Sequence, residues 1–437
     1  MRRIREIQEP RQRSVYVIVR GYPRITETFI AQEIYCLEQY GADVNIVTLG
    51  MSADAVGQHV NEIIASKIYC LSQSWLKTIW CAVRSILLRG ISLGKMYRLI
   101  KVISRLPKQK NRRSRFFCLL QAFHLAGIIG KQSCHLHAFF LSEPATIAMG
   151  ASILTDSSWS VSTHARDLYL THPAEICLKV DQAHGLVTCT EYNLRWINEA
   201  IRGTCGRPGL IEKCWFIPHG INLVGFKQNG GRAAGGQHAA VTIISVGRVV
   251  PKKGYDDLIT ALSRLPLSLN WNFVHIGAGG ERLIEIAIEC GGGELLSRID
   301  IRGAQLHDYI QEALKKADIF CLSPKVLHDG DRDGRPNVIM EAQAVGLAVV
   351  GTNVSAMEEL IEHNETGFLV PPNTPSALTD VLTQLIENPQ VRKNVGQRAA
   401  AKAALEYDYL SHALSFSKKI LEFSDRSVTI DRFTPRI

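Results

Sequence analysis

The sequence predicts an α/β protein of two doubly wound lobes facing a cleft. Three observations carry that reading. The chain has 437 residues, more than one hydrophobic core usually supports. Short β-branched runs alternate with helical patterns in two successive series. Between the series lies 229–237, NGGRAAGGQ, whose glycines and small residues suit an interdomain joint.

The elements follow in chain order. Residues 14–19, SVYVIV, read as a buried strand that stops at Gly21 and Pro23. Residues 28–39 form a helix with Ile30, Ile34 and Leu37 on one face, ended by Gly41. A strand at 44–49 completes a parallel strand–helix–strand unit. Residues 75–106 read as one long helical stretch, broken or kinked around Gly90 and Gly94. Further strands are expected at 160–163, 186–190 and 215–218. Beyond the joint they are expected at 241–246, 272–276, 300–301, 319–322, 348–350 and 368–369. The implied organisation is a basic tail (1–13), a first lobe (14–223) carrying a basic helical insertion near 75–116, and a linker (224–240). A second lobe (241–405) and a C-terminal helix (406–437) packing back on the first lobe complete it. In open parallel sheets the ligand sits at the C-terminal ends of the strands.

Composition narrows the function. With 46% hydrophobic and 21% charged residues, disordered and collagen-like chains are excluded. The eleven cysteines are scattered without zinc-type spacing, which fits reduced thiols in a cytosolic protein with no structural metal. The basic start lacks the apolar segment of a signal peptide, and no apolar run is long enough to span a membrane.

The net charge of +9 is unevenly distributed. Between residues 63 and 142 there is no Asp or Glu but fourteen Lys and Arg, so the remainder is mildly acidic. Lys95, Arg98, Lys101 and Arg105 recur on one helical face, and Met96, Leu99, Ile100 and Ile103 on another. That is a basic amphipathic helix. A merely solvated basic face is the plain alternative; the missing acids favour an anionic membrane surface. Nucleic acid is not expected as a partner, because no recognition module accompanies the charge.

Several motifs could carry chemistry. Gly247-Arg248 follows the first strand of the second lobe, with Lys253-Gly254 five residues on. Arg offers a planar fork and Lys a point charge, a suitable pair for a diphosphate, although an exposed basic turn has the same pattern. The strand 274–276 ends in Gly277, Ala278, Gly279 and Gly280, where backbone could approach a ligand. Asp333-Gly334-Arg335-Pro336-Asn337-Val338 leads into a helix that carries Glu341. The N-terminal amides of that helix can bind phosphate and its two carboxylates can accept from sugar hydroxyls. The alternative is a helix-start acid plus a buried, paired Glu. In the first lobe His164, Arg166 and Asp167 follow a strand directly, placing a histidine where it could polarise a reacting group or simply be structural. His135 and His137 precede another loop and receive no role.

Together GRVVPKKG, the two carboxylates with seven residues between them, GTNVSAMEELIEHNETGFLVPP, STHARDLYL and IPHGIN resemble the GT-B glycosyltransferases, specifically retaining family 4. The opening VRGYPRITETFIAQEIYCLEQYGADVNIVTL resembles its colanic-acid-type members, which build bacterial exopolysaccharides. The resemblance runs over about residues 14–405 and implies two Rossmann-like lobes. It also implies a nucleotide-diphosphate-sugar donor, a lipid-linked saccharide acceptor and a place at the inner face of the cytoplasmic membrane.

The resemblance implies further that Arg248 and Lys253 hold the diphosphate, Glu341 the ribose and Asp333 the donor sugar, with Asn337 and Val338 at the phosphates. His164 stands near the donor sugar with Asp167 as its loop partner. Pro23, Arg24, Thr26 and Glu27 belong to the acceptor-side loop. No metal and no cofactor are expected. Two departures stand out: Asp333 where the family has Glu, and Asn222 where it has Asp. A sugar-nucleotide epimerase, a non-catalytic GT-B subunit and a nucleic-acid binder that uses the basic region remain the alternatives.

Overall fold

The computed structural model describes residues 14–24, 27–50, 64–71, 74–89, 91–107, 112–226 and 240–425. The tail 1–13, Thr26, Gly90 and the joint 229–237 lie outside them. The α/β class holds: the chain divides into two compact units, each built on a parallel sheet. The first comprises residues up to Thr188, Leu194–Ile217 and the chain from Leu410 on; the second comprises Cys189–Asn193 and Pro218–Tyr409.

In the first unit the strands are β1 (Ser14–Val19), β2 (Asp43–Thr48), β3 (Lys67–Cys70), β4 (Cys134–Phe139), β5 (Ser158–Thr163), β6 (Gly185–Thr188) and β7 (Cys214–Phe216). Their order is β3-β2-β1-β4-β5-β6-β7, and every pairing is parallel. The helices are α1 (Thr28–Gln39), α2 (Trp75–Arg89), α3 (Leu93–Ser104), α4 (Arg112–Ile129), α5 (Glu143–Thr155), α6 (Ala165–Tyr169), α7 (Pro173–Gln182) and α8 (Glu191–Cys205). Burial explains the central strands: all six residues of β1, β4 and β5 are buried, as expected for sheet strands covered on both faces.

His135 and His137 precede the loop at 140–142, as read from the sequence, and they do so from within a central strand, β4, that the sequence reading did not include. The stretch 75–106 is broken as expected, into two helices that part between Arg89 and Leu93, with Gly94 inside the second. Ser92 supplies the reason: its hydroxyl accepts the Lys95 backbone N–H at 3.3 Å and so caps a new helix.

In the second unit the strands are β8 (Val241–Val246), β9 (Trp271–Ile276), β10 (Ile299–Ile301), β11 (Ile319–Leu322), β12 (Ala348–Thr352) and β13 (Phe368–Val370). Their order is β10-β9-β8-β11-β12-β13, again all parallel. The helices are α9 (Tyr255–Ser263), α10 (Gly280–Leu296), α11 (His307–Lys316), α12 (Asn337–Ala344), α13 (Met357–Leu360), α14 (Pro375–Glu387) and α15 (Pro389–Glu406); the last helix, α16 (Tyr409–Ser424), returns to the first unit. Phe416 and Ile420 of α16 belong to the core of the first unit.

In both sheets the strand order reverses once, between β1 and β4 and between β8 and β11. Flanking connections diverge at such a point and leave a crevice at the C-terminal strand ends. The loops after β8 and β11 hold residues 247–254 and 323–336, and the loop after β1 holds residues 20–27. Topology thus selects the segments that the sequence motifs selected.

Candidate active site

The second-unit loops are held together by backbone contacts. Gly247 N–H donates to Ile276 O at 2.9 Å, and Gly247 O accepts from Tyr255 OH at 3.2 Å. His275 Nε2 lies 2.9 Å from the same carbonyl. Burial pushes the His275 pKa down, so the ring is neutral and its Nε2–H is the donor. Ser323 Oγ donates to Gly254 O at 2.6 Å, and Lys325 N–H to Lys252 O at 2.9 Å. Gly254 has φ +66°, and a Cβ there would strike the Ser323 carbonyl.

On this frame the charged residues converge. Lys253 Nζ lies 2.7 Å from Asp333 Oδ2, and Lys252 Nζ 3.0 Å from Asp331 Oδ1 and 3.9 Å from Asp333 Oδ1. Lys253 and Asp333 are mostly enclosed. The residue assigned to the diphosphate and the one assigned to the sugar therefore neutralise each other before any ligand arrives. Lys252 and Asp331, which the motif reading passed over, form the adjoining pair; the Lys doublet was the available signal. Arg248 is exposed and makes no ion pair among the described residues. Its fork is available to an anion.

Helix α12 begins at Asn337, with Pro336 as its N-cap in extended backbone (φ −68°, ψ 112°). Proline is therefore just outside the helix rather than within its first turn. Asn337 and Val338 are half-buried at that start, and Gly334 is half-buried in the loop before it. Glu341 lies one turn further in. Desolvation pushes its carboxyl up to about 7, although part of the residue remains accessible.

Gly277 and Gly279 also meet a packing requirement. A Cβ at Gly277 would strike the Gly247 carbonyl, and one at Gly279 would press on Val249. Their lack of a side chain lets the β9 loop pack on the β8 loop. Asn222 also has a local role: its Oδ1 accepts the Val224 N–H at 3.0 Å, an Asx turn.

In the first unit His164 caps α6 and lies between two aromatic rings, Phe29 at 4.6 Å and Phe140 at 5.2 Å. Burial depresses its pKa, against the opposing pull of Asp167. Asp167 is a loop partner of His164, as expected, and holds further loop groups. Its Oδ2 accepts from Leu141 N–H at 2.7 Å and Thr163 Oγ1 at 2.8 Å, and its Oδ1 from His164 N–H at 2.9 Å. It ties the loops after β4 and β5 together and so positions His164. Among the loop residues, Arg24 Nη1 pairs with Glu27 Oε1 at 3.2 Å. Burial raises the Glu27 carboxyl, with Arg24 opposing. Pro23 is half-buried beside them; Thr26 is outside the described residues.

The basic helix differs from its expected pattern. Lys95 is turned inward: Nζ pairs with Asp156 Oδ2 at 2.5 Å and donates to Leu154 O at 3.0 Å. Leu99 is buried whereas Ile100 is exposed. No helix among the described residues is long and apolar enough to cross a membrane.

Comparison with known proteins gives this geometry its context. The family profile described as "Glycosyl transferases group 1" matches residues 235–402. The amylovoran biosynthesis glycosyltransferase AmsK of Erwinia amylovora is 35% identical over 173 residues, covering 39% of this chain and 42% of that protein. WcaL of Escherichia coli, named for colanic acid biosynthesis, is 30% identical over 193 residues, 44% of this chain and 43% of that one. The chain thus spans somewhat under half the length of these curated relatives. Among solved structures, Anabaena HepE in complex with UDP and glucose superposes with a TM-score of 0.64 at 15% identity, covering 94% of this chain and all of that one. The Thermosynechococcus elongatus sucrose-phosphate synthase gives 0.67 at 14%, covering 94% and 99%. The chain therefore has the GT-B fold class of two Rossmann-like units, and its second unit carries a glycosyl transferases group 1 domain.

Proposed function

We propose that the protein is a retaining glycosyltransferase that moves a sugar from a nucleotide-diphosphate sugar to a lipid-linked saccharide during bacterial polysaccharide synthesis. The observation that carries this reading is the convergence at the β8/β11 reversal. The Lys253–Asp333 pair joins the loop after β8, which also carries Arg248, to the loop that leads into α12, at the strand ends where a parallel sheet receives its ligand. The relatives named for amylovoran and colanic acid biosynthesis, and the HepE structure with UDP and glucose, support the substrate class.

Charge that develops on the leaving diphosphate is met by Arg248, Lys253 and the α12 N-terminal amides. Asp333 accepts from a donor-sugar hydroxyl while Lys253 holds its other contact. Glu341, one helical turn in, accepts from the ribose. Burial keeps His164 of the first unit neutral, so a hydrogen bond from it adds no charge. The leaving phosphate takes the acceptor proton, so no protein base is assigned. Fixed cations and amides fill the electrostatic role, so transfer proceeds without a metal or other cofactor. The acceptor is met at an anionic membrane surface, toward which the acid-free region of the first unit is oriented.

The test is transfer of labelled sugar from a panel of UDP-, GDP- and ADP-sugars to a polyprenyl-linked saccharide, with EDTA present. Retention of anomeric configuration and full rate in EDTA are expected. Free epimer in place of transfer, or abolition by EDTA, overturns the proposal.

A further inference from the structure

The helices of the acid-free region carry more than charge, because α2 is inside out. Its buried positions are Thr78, Ala82 and Ser85, small or hydroxyl-bearing residues. They face α4 closely enough that a Cβ at Gly127 would collide with Ser85. The large apolar residues point the opposite way. Leu76, Trp80, Val83 and Leu87 follow one another at helical spacing and are 77%, 61%, 47% and 75% exposed. A helix facing water has the reverse arrangement. The pattern continues on α3, where Leu93, Tyr97 and Ile100 are also exposed. Such a run on two successive helices exceeds the scattered apolar residues of an ordinary surface.

Cations accompany the stripe. Lys77, Arg84, Arg98, Lys101 and Arg105 are exposed, and Arg84 lies over the Trp80 ring at 5.3 Å. No acidic residue occurs between 63 and 142.

We propose that α2 lies in the headgroup–acyl boundary of an anionic bilayer, with Leu76, Trp80, Val83 and Leu87 immersed and the cations at the phosphate level. This deepens the membrane reading proposed above by assigning the contact to an apolar wedge on α2 rather than to the α3 charge stripe alone. Charge selects the occupant. A second copy of the same face would set the cations of α2 against each other, and Asp156 beside α3 is already paired with Lys95. An anionic lipid surface complements the cations, and tryptophan suits the boundary between apolar and wet layers.

The experiment compares the full-length protein with two variants. One is Leu76→Gln/Trp80→Gln/Leu87→Gln; the other is Lys77→Gln/Arg84→Gln/Arg98→Gln/Lys101→Gln/Arg105→Gln. Each is floated with phosphatidylglycerol–phosphatidylcholine vesicles and with phosphatidylcholine alone, at low and high salt. Wild type is expected to float with the anionic vesicles and to keep part of its binding at high salt. The apolar variant is expected to lose partitioning roughly 100-fold. The charge variant loses the salt-sensitive part. Fluorescence quenching by brominated lipid is expected in wild type and reduced in Trp80→Phe.

Thermal unfolding and donor hydrolysis of the apolar variant should match wild type, since the changed side chains are exposed and belong to the other unit from the donor residues. These two readouts report folding and the donor reading separately from lipid docking. Wild type that ignores anionic vesicles overturns the proposal, as does quenching that Trp80→Phe leaves unchanged. A solution dimer that the apolar variant splits does so as well, by showing that the stripe meets a second copy.

Discussion

Asp333 and Lys253 form one mostly enclosed ion pair in the proposed donor site. Both side chains are mostly enclosed, so removing one leaves the other short of its closest partner. Lys253→Met and Asp333→Asn are each expected to destabilise by about 1–3 kcal/mol, with the double variant recovering part of the loss. A double-mutant cycle by chemical denaturation measures this; strict additivity would show that the pair does not interact. Turnover is expected to fall in all three variants whatever their stability. Arg248, being exposed, separates the two effects: Arg248→Ala should cost about 2–4 kcal/mol of transition-state stabilisation and leave the unfolding midpoint unchanged.

Glu341 gives a pH signature. Its folded carboxyl holds a proton up to about pH 7, whereas in the unfolded chain it releases one near 4.5. Unfolding therefore releases a proton between those values. The burial cost grows as pH rises from 4.5 and is complete above 7. Glu341→Gln should accordingly raise stability by about 2 kcal/mol at pH 8, have little effect at pH 4.5, and weaken donor binding. A stability difference that is flat across this range contradicts the assignment of a desolvated carboxyl.

At the scale of elements, the legible parts of the sequence were those whose residues match the strand period and the turn chemistry. SVYVIV and VTIISV are such strands, and the structure places them at 14–19 and 241–246. Strand β4 was not legible. CHLHAF alternates histidine with apolar residues, and only its neighbour makes that arrangement stable. His135 lies between Ser158 and Ser160 at 2.8 and 2.7 Å, and His137 between Ser160 and Ser162 at 2.8 and 2.9 Å. The partners are every second residue of β5, a pairing that no local pattern announces. The candidate loops were legible because glycine, proline and charge mark them. The Lys253–Asp333 pairing was not, because eighty residues of chain separate its members.

The same ladder has a consequence in acid. Burial pushes His135 well below its ordinary range and His137 down to about 3, with a further contribution from neighbouring imidazoles. In the unfolded chain both protonate near 6.5. Unfolding thus takes up protons below that pH, and the stability present above 6.5 is lost as pH falls toward the folded values. Calorimetry at pH 5 should show uptake of about two protons per chain from this source, and a lower midpoint than at pH 7.5. A midpoint that is independent of pH between these values contradicts neutral, buried imidazoles.

For the whole molecule, the second unit carries Arg248, Lys253, Asp333 and the start of α12, and the first unit carries His164, the loop after β1 and the inverted helix α2. The central claim is that a nucleotide-diphosphate sugar is held at the β8/β11 reversal. It is tested most directly by donor binding and hydrolysis across UDP-, GDP- and ADP-sugars, in EDTA, for wild type and Arg248→Ala. Wild type is expected to bind and slowly hydrolyse one donor class. Arg248→Ala should be about 30- to 1000-fold slower with its fold intact. Wild type that binds none of these donors, or an Arg248→Ala variant that matches it, would contradict the claim.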